Sequence, residues 1–271
     1  MRRHSLSVLL ICCNEADRIE TCLQSISNWA DQLIVFDSGS TDGTQDIVRR
    51  YTSELHETDW PGFGPQRQRA LDKAWGDFVL TVDADERVTP ELRSEIDYLL
   101  SKEEVECSVY HIRWSQFFLG KEIKNGRYSS AQRRFFRRQG AQYPTAQIHE
   151  KLMPAPGKMG QLKGRLLHDS FRDYQHVMLK HDKYAWLLAQ EKYSRGERSS
   201  LLYAHLRAKW EFVHQYFFRG LVLDGARGYL QAVVLSHHAF NKYAGLWSLK
   251  EAQAIPDKIF SPSHRLRRPE R

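Results

Sequence analysis

The chain has 271 residues, with 40 Lys+Arg against 33 Asp+Glu and a formal charge of +7. Hydrophobic residues make up 41% and aromatic residues 12%, which excludes a disordered chain and supplies a core for one large domain, or one domain with an appendage. The charge is split: residues 1–110 carry 11 Lys/Arg against 21 Asp/Glu, a net of −10, and residues 111–271 carry 29 against 12, a net of +17. A split of this kind argues against a uniformly basic nucleic-acid coat and points to an anionic partner met on one side.

From the start, residues 6–13 (LSVLLICC) read as a fully buried strand. A signal peptide would need a longer apolar stretch and a small-residue cleavage site, and Asn14-Glu15-Ala16-Asp17-Arg18 follows instead. The four cysteines (Cys12, Cys13, Cys22, Cys107) form no CxxC pair, which suits a reducing cytoplasm. Asp17–Trp29 reads as a helix with Ile19, Leu23, Ile26 and Ala30 on one face. Residues 33–36 (LIVF) form a second buried strand ending at Asp37, and the turn-rich loop 38–43 leads into a helix over Gln45–Tyr51. A short strand near Leu55, a Pro/Gly loop over 60–65 and a helix over Gln66–Ala74 come next, then a strand over 78–82 (FVLTV). Strand, helix, strand, helix, strand with continuous apolar strands is the pattern of a parallel sheet covered on both faces, an α/β fold. Ligands bind such sheets beyond the carboxyl ends of the strands, where Asn14, Glu15, Asp37, Asp83 and Asp85 all fall. A helix over Glu91–Leu100 and a mixed region over 105–170 follow, with Ser108–Trp114 strand-like. Tyr174–Tyr193 and Leu201–Phe218 read as helices, and the rest is aromatic, apolar and basic. No stretch reaches the roughly 20 apolar residues of a spanning helix.

Asp83-Ala84-Asp85 carries the sharpest chemistry. On an extended chain, residues two apart face the same side, so both carboxylates can meet one hard divalent ion, Mg²⁺ or Mn²⁺, together with substrate phosphates. Alone, the pattern also reads as a solvated acidic loop; its place at the end of a buried strand favours the ion. Asp37 can accept hydrogen bonds from a base or sugar hydroxyl, or cap the next helix, for which Ser40, Thr41 and Asp42 are better placed. Arg127, Arg133, Arg134, Arg137 and Arg138 put five guanidiniums in twelve residues, a set that matches phosphate or carboxylate or else lines a solvated face. Phe135 and Phe136, between the pairs, read as core.

The succession NEADRIETCL, FDSGSTDGT and QRQRALDKAWGDFVLTVDADE resembles family 2 glycosyltransferases of the GT-A fold, a Rossmann-like mostly parallel sheet with flanking helices. The resemblance implies inverting transfer from a nucleotide-sugar, usually UDP-linked, with a divalent metal. It implies that Asp37 contacts uracil, Arg67 lies near the nucleotide, Asp83 binds the sugar moiety, and Asp85 binds metal and diphosphate. Cys13 stands where relatives often carry an aromatic or basic residue, and Ser38 where many carry a second aspartate. Leu119-Gly120, the Arg134–Arg138 run, Ile148-His149-Glu150-Lys151-Leu152 and Leu167-His168 are similar to a subgroup that builds the lipopolysaccharide inner core, whose best-known type adds β-1,4-linked glucose to the first heptose. From that likeness, Glu150 is the expected base, and His149, Arg134 and Arg137 the acceptor or phosphate contacts. His168 is a metal ligand or diphosphate contact in that reading, UDP-glucose the donor, and a lipid-linked anionic oligosaccharide the acceptor.

Two parts are expected: residues 1–195, divided at 110 between nucleotide-sugar and acceptor functions, and a helical region over 196–271 that is basic and aromatic. The segment from Trp210 to Trp247 can lie on an anionic membrane surface or pack on a subdomain, so the expected location is cytoplasmic and peripheral on the inner membrane. The competing readings are a same-fold transferase for a polyprenyl-linked or capsular acceptor, and a non-catalytic binder. Nucleic acid is not an expected partner, since no recognition motif is present.

Overall fold

The computed structural model describes residues 2–125, 131–144, 151–171 and 173–254. The chain forms two compact units, Met1–Ser170 and a second from Phe171 onward.

In the first unit, β1 (Leu6–Cys12), β2 (Gln32–Asp37), β3 (Leu55–Glu57) and β4 (Phe78–Asp83) form a parallel block in the order β3-β2-β1-β4. The sheet continues through β8 (Ala131–Arg137), β6 (Cys107–Phe118), β9 (Lys158–His168) and β5 (Glu86–Val88), with β7 (Lys121–Ile123) beside β6. β8 runs antiparallel to β4 and β6, whereas β6 and β9 are parallel. This is a mixed α/β sheet, in keeping with the fold that the sequence resemblance implies.

Side-chain alternation sorts the strands between two cores. Leu6, Val8, Leu10 and Cys12 of β1, Leu33 and Val35 of β2, and Phe78, Leu80 and Val82 of β4 face one core. There they meet Ile19, Cys22 and Leu23 of α1 (Ile19–Gln24), Val48 of α2 (Thr44–Arg49) and Leu92, Ile96 and Leu100 of α4 (Pro90–Ser101). Leu9, Ile34, Phe36 and Val79 face the other, against Ala70 and Leu71 of α3 (Phe63–Lys73) and Ala74 just beyond it. Phe135 and Phe136 are both fully buried, one on each face, as their strand-flanking arginines suggested. A Cβ at Gly164 would stand 2.4 Å from Leu92 Cα, so that glycine lets α4 lie directly on β9.

Helix α1 is shorter than the apolar period predicts. Ser25 Oγ donates to the Cys22 carbonyl at 2.7 Å and accepts from Val88 N–H, so a side chain takes over the helix's own bonding where α1 stops.

The second unit is helical: α5 (Tyr174–Ser194), α6 (Leu201–Val213), a π-turn (His214–Phe218), a 3₁₀ turn (Leu221–Asp224) and α7 (Gly225–Ala254). Ala189, Ala204, Tyr243 and Leu246 form its packed centre. Asp173 and Ser200 cap α5 and α6 through hydrogen bonds from His176 N–H and Tyr203 N–H. Among the described residues, no helix is long and apolar enough to cross a membrane.

Candidate active site

The parallel register brings the polar strand ends together. Cys12 pairs with Asp37 on one side and Ile11 with Asp83 on the other, so the carboxylates of β2 and β4 flank the end of β1.

Asp37 is fully buried and organises the loop that follows it. Its carboxylate accepts from Gly39 N–H at 3.0 Å, Ser40 N–H at 2.8 Å and Gln45 Nε2 at 2.8 Å, and from the Ser40 hydroxyl and Cys12 Sγ. Burial opposes its charge, but the hydrogen bonds from Ser40 and Gln45 outweigh burial and lower its pKa. The neighbouring loop is laced to this one. Asn14, in the left-handed region at φ 56, donates its N–H to Ser40 Oγ and accepts from Thr41 N–H, both at 2.8 Å. Glu15 N–H reaches Thr44 Oγ1 at 2.8 Å, and its carboxylate pairs with Arg18 at 3.0 Å.

Asp83 is clasped by two arginines. Arg67 donates to Oδ1 at 2.7 Å and Arg134 to Oδ2 at 2.6 Å. Burial opposes ionisation here as well, yet Arg134 and then Arg67 hold the carboxyl well below the usual carboxylate range. The chain does not stay extended through the acidic pair: β4 ends at Asp83 and a turn at 84–85 leads into β5. Strand alternation therefore does not set where Asp85 points. Asp85 instead lies 3.4 Å from His168 Nε2, at the end of β9, and its carbonyl accepts from Asp169 N–H at 3.0 Å. Burial works against a charged His168, but Asp85, with Glu86 and Asp83 behind it, raises its pKa.

Two residues that sequence reasoning passed over complete the cluster. Glu86 is fully buried and accepts from Trp114 Nε1 at 2.6 Å, Arg134 Nη2 at 2.8 Å and Asp83 N–H at 2.8 Å. Burial, with Asp83 and Asp85 adding and Arg134 opposing, pushes Glu86 up to about 7. Trp114 stacks on the His168 ring, with centroids 4.6 Å apart. The only sequence hint was position: Glu86 directly follows the acidic pair, and Trp114 closes an alternating strand.

Arg137 is placed elsewhere. It pairs in register with Phe78, at the opposite end of β4 from Asp83, and its guanidinium donates to the Val105 carbonyl at 3.0 Å. Arg133 donates to the Leu152 carbonyl and Arg138 to that of Gly76. Arg127, His149 and Glu150 lie outside the described residues.

Asp85 and His168 offer a hard ion one carboxylate and one imidazole. Among the described residues no group of three His, Cys, Asp or Glu gathers into a metal cage. Two protein donors suit an ion completed by substrate phosphates and water. Arg18 Nη2 and Arg134 Nη1 are both buried without a protein acceptor among the described residues, which suits an anionic ligand. Arg18 also reaches the Asp169 carbonyl at 3.1 Å, next to His168.

Residues 7–154 match the family model described as "Glycosyl transferase family 2". The chain is 28% identical over 272 residues to a lipopolysaccharide core biosynthesis glycosyltransferase, LpsC, of Rhizobium meliloti, covering 96% of this chain and 98% of that one. It is 25% identical over 263 residues to an uncharacterized glycosyltransferase of Rickettsia prowazekii, covering 92% and 90%. Among solved structures, the glucosyl-3-phosphoglycerate synthase of Mycobacterium tuberculosis with Mn²⁺ and UDP-glucose is 28% identical, over 41% of this chain and 44% of that chain, with a TM-score of 0.36. The match thus spans under half the length of that structure.

Proposed function

The chain belongs to glycosyl transferase family 2 and is a glycosyltransferase, and on that premise we propose that it moves a hexose, glucose from UDP-glucose, onto an inner-core heptose of lipopolysaccharide with inversion. The observation that carries this reading is the cluster at the strand ends: Asp83 clasped by Arg67 and Arg134, beside the Asp85–His168 pair. The near full-length likeness to the Rhizobium protein supports the choice of acceptor.

In this reading Asp83, oriented by its two arginines, holds the donor's sugar moiety, and Arg67 lies beside the nucleotide. Asn14, Glu15 and Asp37 shape the pocket for the nucleoside through the laced loops, with Asp37 set for uracil. Asp85 and His168 hold a divalent ion, which when bound neutralises charge on the leaving diphosphate. Arg18 and Arg134, whose buried Nη groups lack a protein acceptor among the described residues, are available to an anionic group of the donor. Glu150 takes the proton of the acceptor hydroxyl on the face opposite the leaving group, and His149 orients the acceptor. Arg137, which donates to the Val105 carbonyl at the opposite end of β4 from Asp83, is not part of this reading of the site.

The acceptor is lipid-linked, and the second unit carries a matching surface. Leu202, Leu206, Trp210, Val213 and Phe217 recur at helical spacing along α6 and the π-turn, all exposed, with Phe218 and Leu223 beyond them. Over 201–229 the exposed Lys, Arg, Asp and Glu residues are Lys209, Arg219 and Arg227, all cations, while Arg207, Glu211 and Asp224 are half-buried. An apolar ridge edged by cations fits an anionic leaflet, so the enzyme works peripherally at the inner membrane.

The test is incubation with a panel of nucleotide-sugars and truncated lipopolysaccharide acceptors, with product masses measured. A gain of one hexose on a heptose-bearing acceptor, from UDP-glucose alone, is the expected result. Transfer only to a polyprenyl-linked acceptor overturns the choice of acceptor. Glu150→Gln is expected to keep donor affinity and lose turnover; wild-type turnover removes it as the base.

A further inference from the structure

Glu86 stands where the sheet calls for an apolar side chain. It shares the buried face of β5 with Val88, yet it is a carboxylate with no exposed surface. A buried charge is costly unless it is paired and hydrogen-bonded, and three donors converge on this one. Each donor leads to a residue of the site. Asp83 N–H belongs to the clasped aspartate itself. Arg134 Nη2 is shared between Glu86 and Asp83. The Trp114 indole, fixed by its N–H bond to Glu86, lies against the His168 ring at 30° and carries the Arg134 guanidinium 5.5 Å from its centre. His168 closes the circuit to Asp85. The backbone supports the same closure, because Glu86 and His168 are register partners across β5 and β9.

We propose that Glu86 and Trp114 are positioning residues that fix the His168 ring against Asp85 and Asp83 against Arg134, so that the two halves of the acidic motif meet the donor, one at its sugar and one at its diphosphate, in one preset arrangement. Neither touches the donor; each acts through its neighbours. Because β4 breaks at Asp83, the strand cannot align Asp83 with Asp85. The ring Asp83–Arg134–Glu86–Trp114–His168–Asp85 supplies the alignment instead. The proposal rests on the reading that Asp85 and His168 hold the divalent ion with the diphosphate.

The experiment measures calorimetric binding of UDP with and without Mn²⁺, alongside thermal unfolding, for the full chain and its variants. Trp114→Leu removes both ring and N–H and is expected to weaken Mn²⁺-dependent UDP binding about 10–100-fold, the usual cost of losing a residue that orients a metal ligand. UDP binding without Mn²⁺ is expected to stay close to wild type. Trp114→Phe keeps a ring on His168 and is expected to recover most of the loss. Glu86→Gln is expected to behave like Trp114→Leu in Mn²⁺ dependence. A purely structural role lowers the unfolding midpoint and both affinities together, and that outcome overturns the proposal. So does Mn²⁺-dependent affinity unchanged in Trp114→Leu and Glu86→Gln while His168→Ala and Asp85→Ala abolish it. Should those last two variants bind Mn²⁺ and UDP like wild type, the reading of the ion site fails and the proposal falls with it. If Trp114→Leu does not fold, Glu86→Gln decides: full wild-type Mn²⁺ dependence overturns the proposal, and a loss confined to the Mn²⁺-dependent step upholds it.

Discussion

Asp37 and Asp83 stand at the same sheet edge and are held ionised by different chemistry: loop hydrogen bonds for the first, arginines for the second. Both are lowered in the folded state, so their contribution to stability is present above the unfolded carboxylate range and is lost as pH falls through the folded values. Acidification below about pH 4 should therefore destabilise the protein progressively. In Asp37→Asn part of that acid sensitivity should vanish, read as a shallower fall of the unfolding midpoint between neutral and acid pH. An unchanged slope would show that the loop bonds add nothing to the charged form. Asp85 is the direct probe of chemistry, since its carboxylate lies beside His168, the other residue proposed to hold the ion. Asp85→Ala should abolish metal-dependent transfer with the far-ultraviolet circular dichroism intact; undiminished turnover would sink the metal assignment. Asp37, Asp83 and Asp85 were legible in the sequence as candidates because acidic groups directly after buried strands have few structural uses. Glu86 and Trp114 were not, because what marks them is contact across β5, β6 and β9, strands far apart in sequence.

At the scale of elements, continuous apolar runs identified β1, β2 and β4, since strands buried on both faces leave no polar alternation to confuse the reading. The helical period placed α4, α5 and the start of α6 within a residue or two. The end of α6 was harder. The pattern runs on to Phe218, and the chain does remain coiled that far, but as a π-turn from His214. The wider turn changes which side chains stay outside, leaving Phe217 and Phe218 exposed while Leu221 is buried. This ridge carries its own prediction. Leu206→Glu combined with Phe217→Glu should strongly reduce co-sedimentation with vesicles containing anionic phospholipid and leave transfer to a short, lipid-free acceptor unchanged. Undiminished vesicle binding would exclude α6 as the membrane face, and a change in oligomeric state would assign it to a second copy.

For the molecule as a whole, the uneven charge gains a physical use in the proposed reading: acidic groups serve the donor in residues 1–110, and basic groups serve an anionic acceptor and surface in the rest. Screening separates the two. The Debye length shrinks from about 10 Å at 0.1 M salt to about 3 Å at 1 M. Vesicle binding should therefore weaken sharply over that range, while UDP affinity, built on buried groups, should change far less. Equal loss of both would show that the basic half does not act as a docking surface. The sequence by itself determined the α/β class, the family and the acidic strand ends, because burial period and short-range motifs are local properties of the chain. Only the tertiary structure decided which arginines of the cluster meet an aspartate. Antiparallel pairing of β8 with β4 sends Arg134 to Asp83 and Arg137 to the far end, a difference of three residues in sequence and the length of a strand in space. It also decided that Asp83 and Asp85 part at a turn and are rejoined through Glu86, Trp114 and His168, because long-range contacts, not the strand's own period, set where those side chains meet.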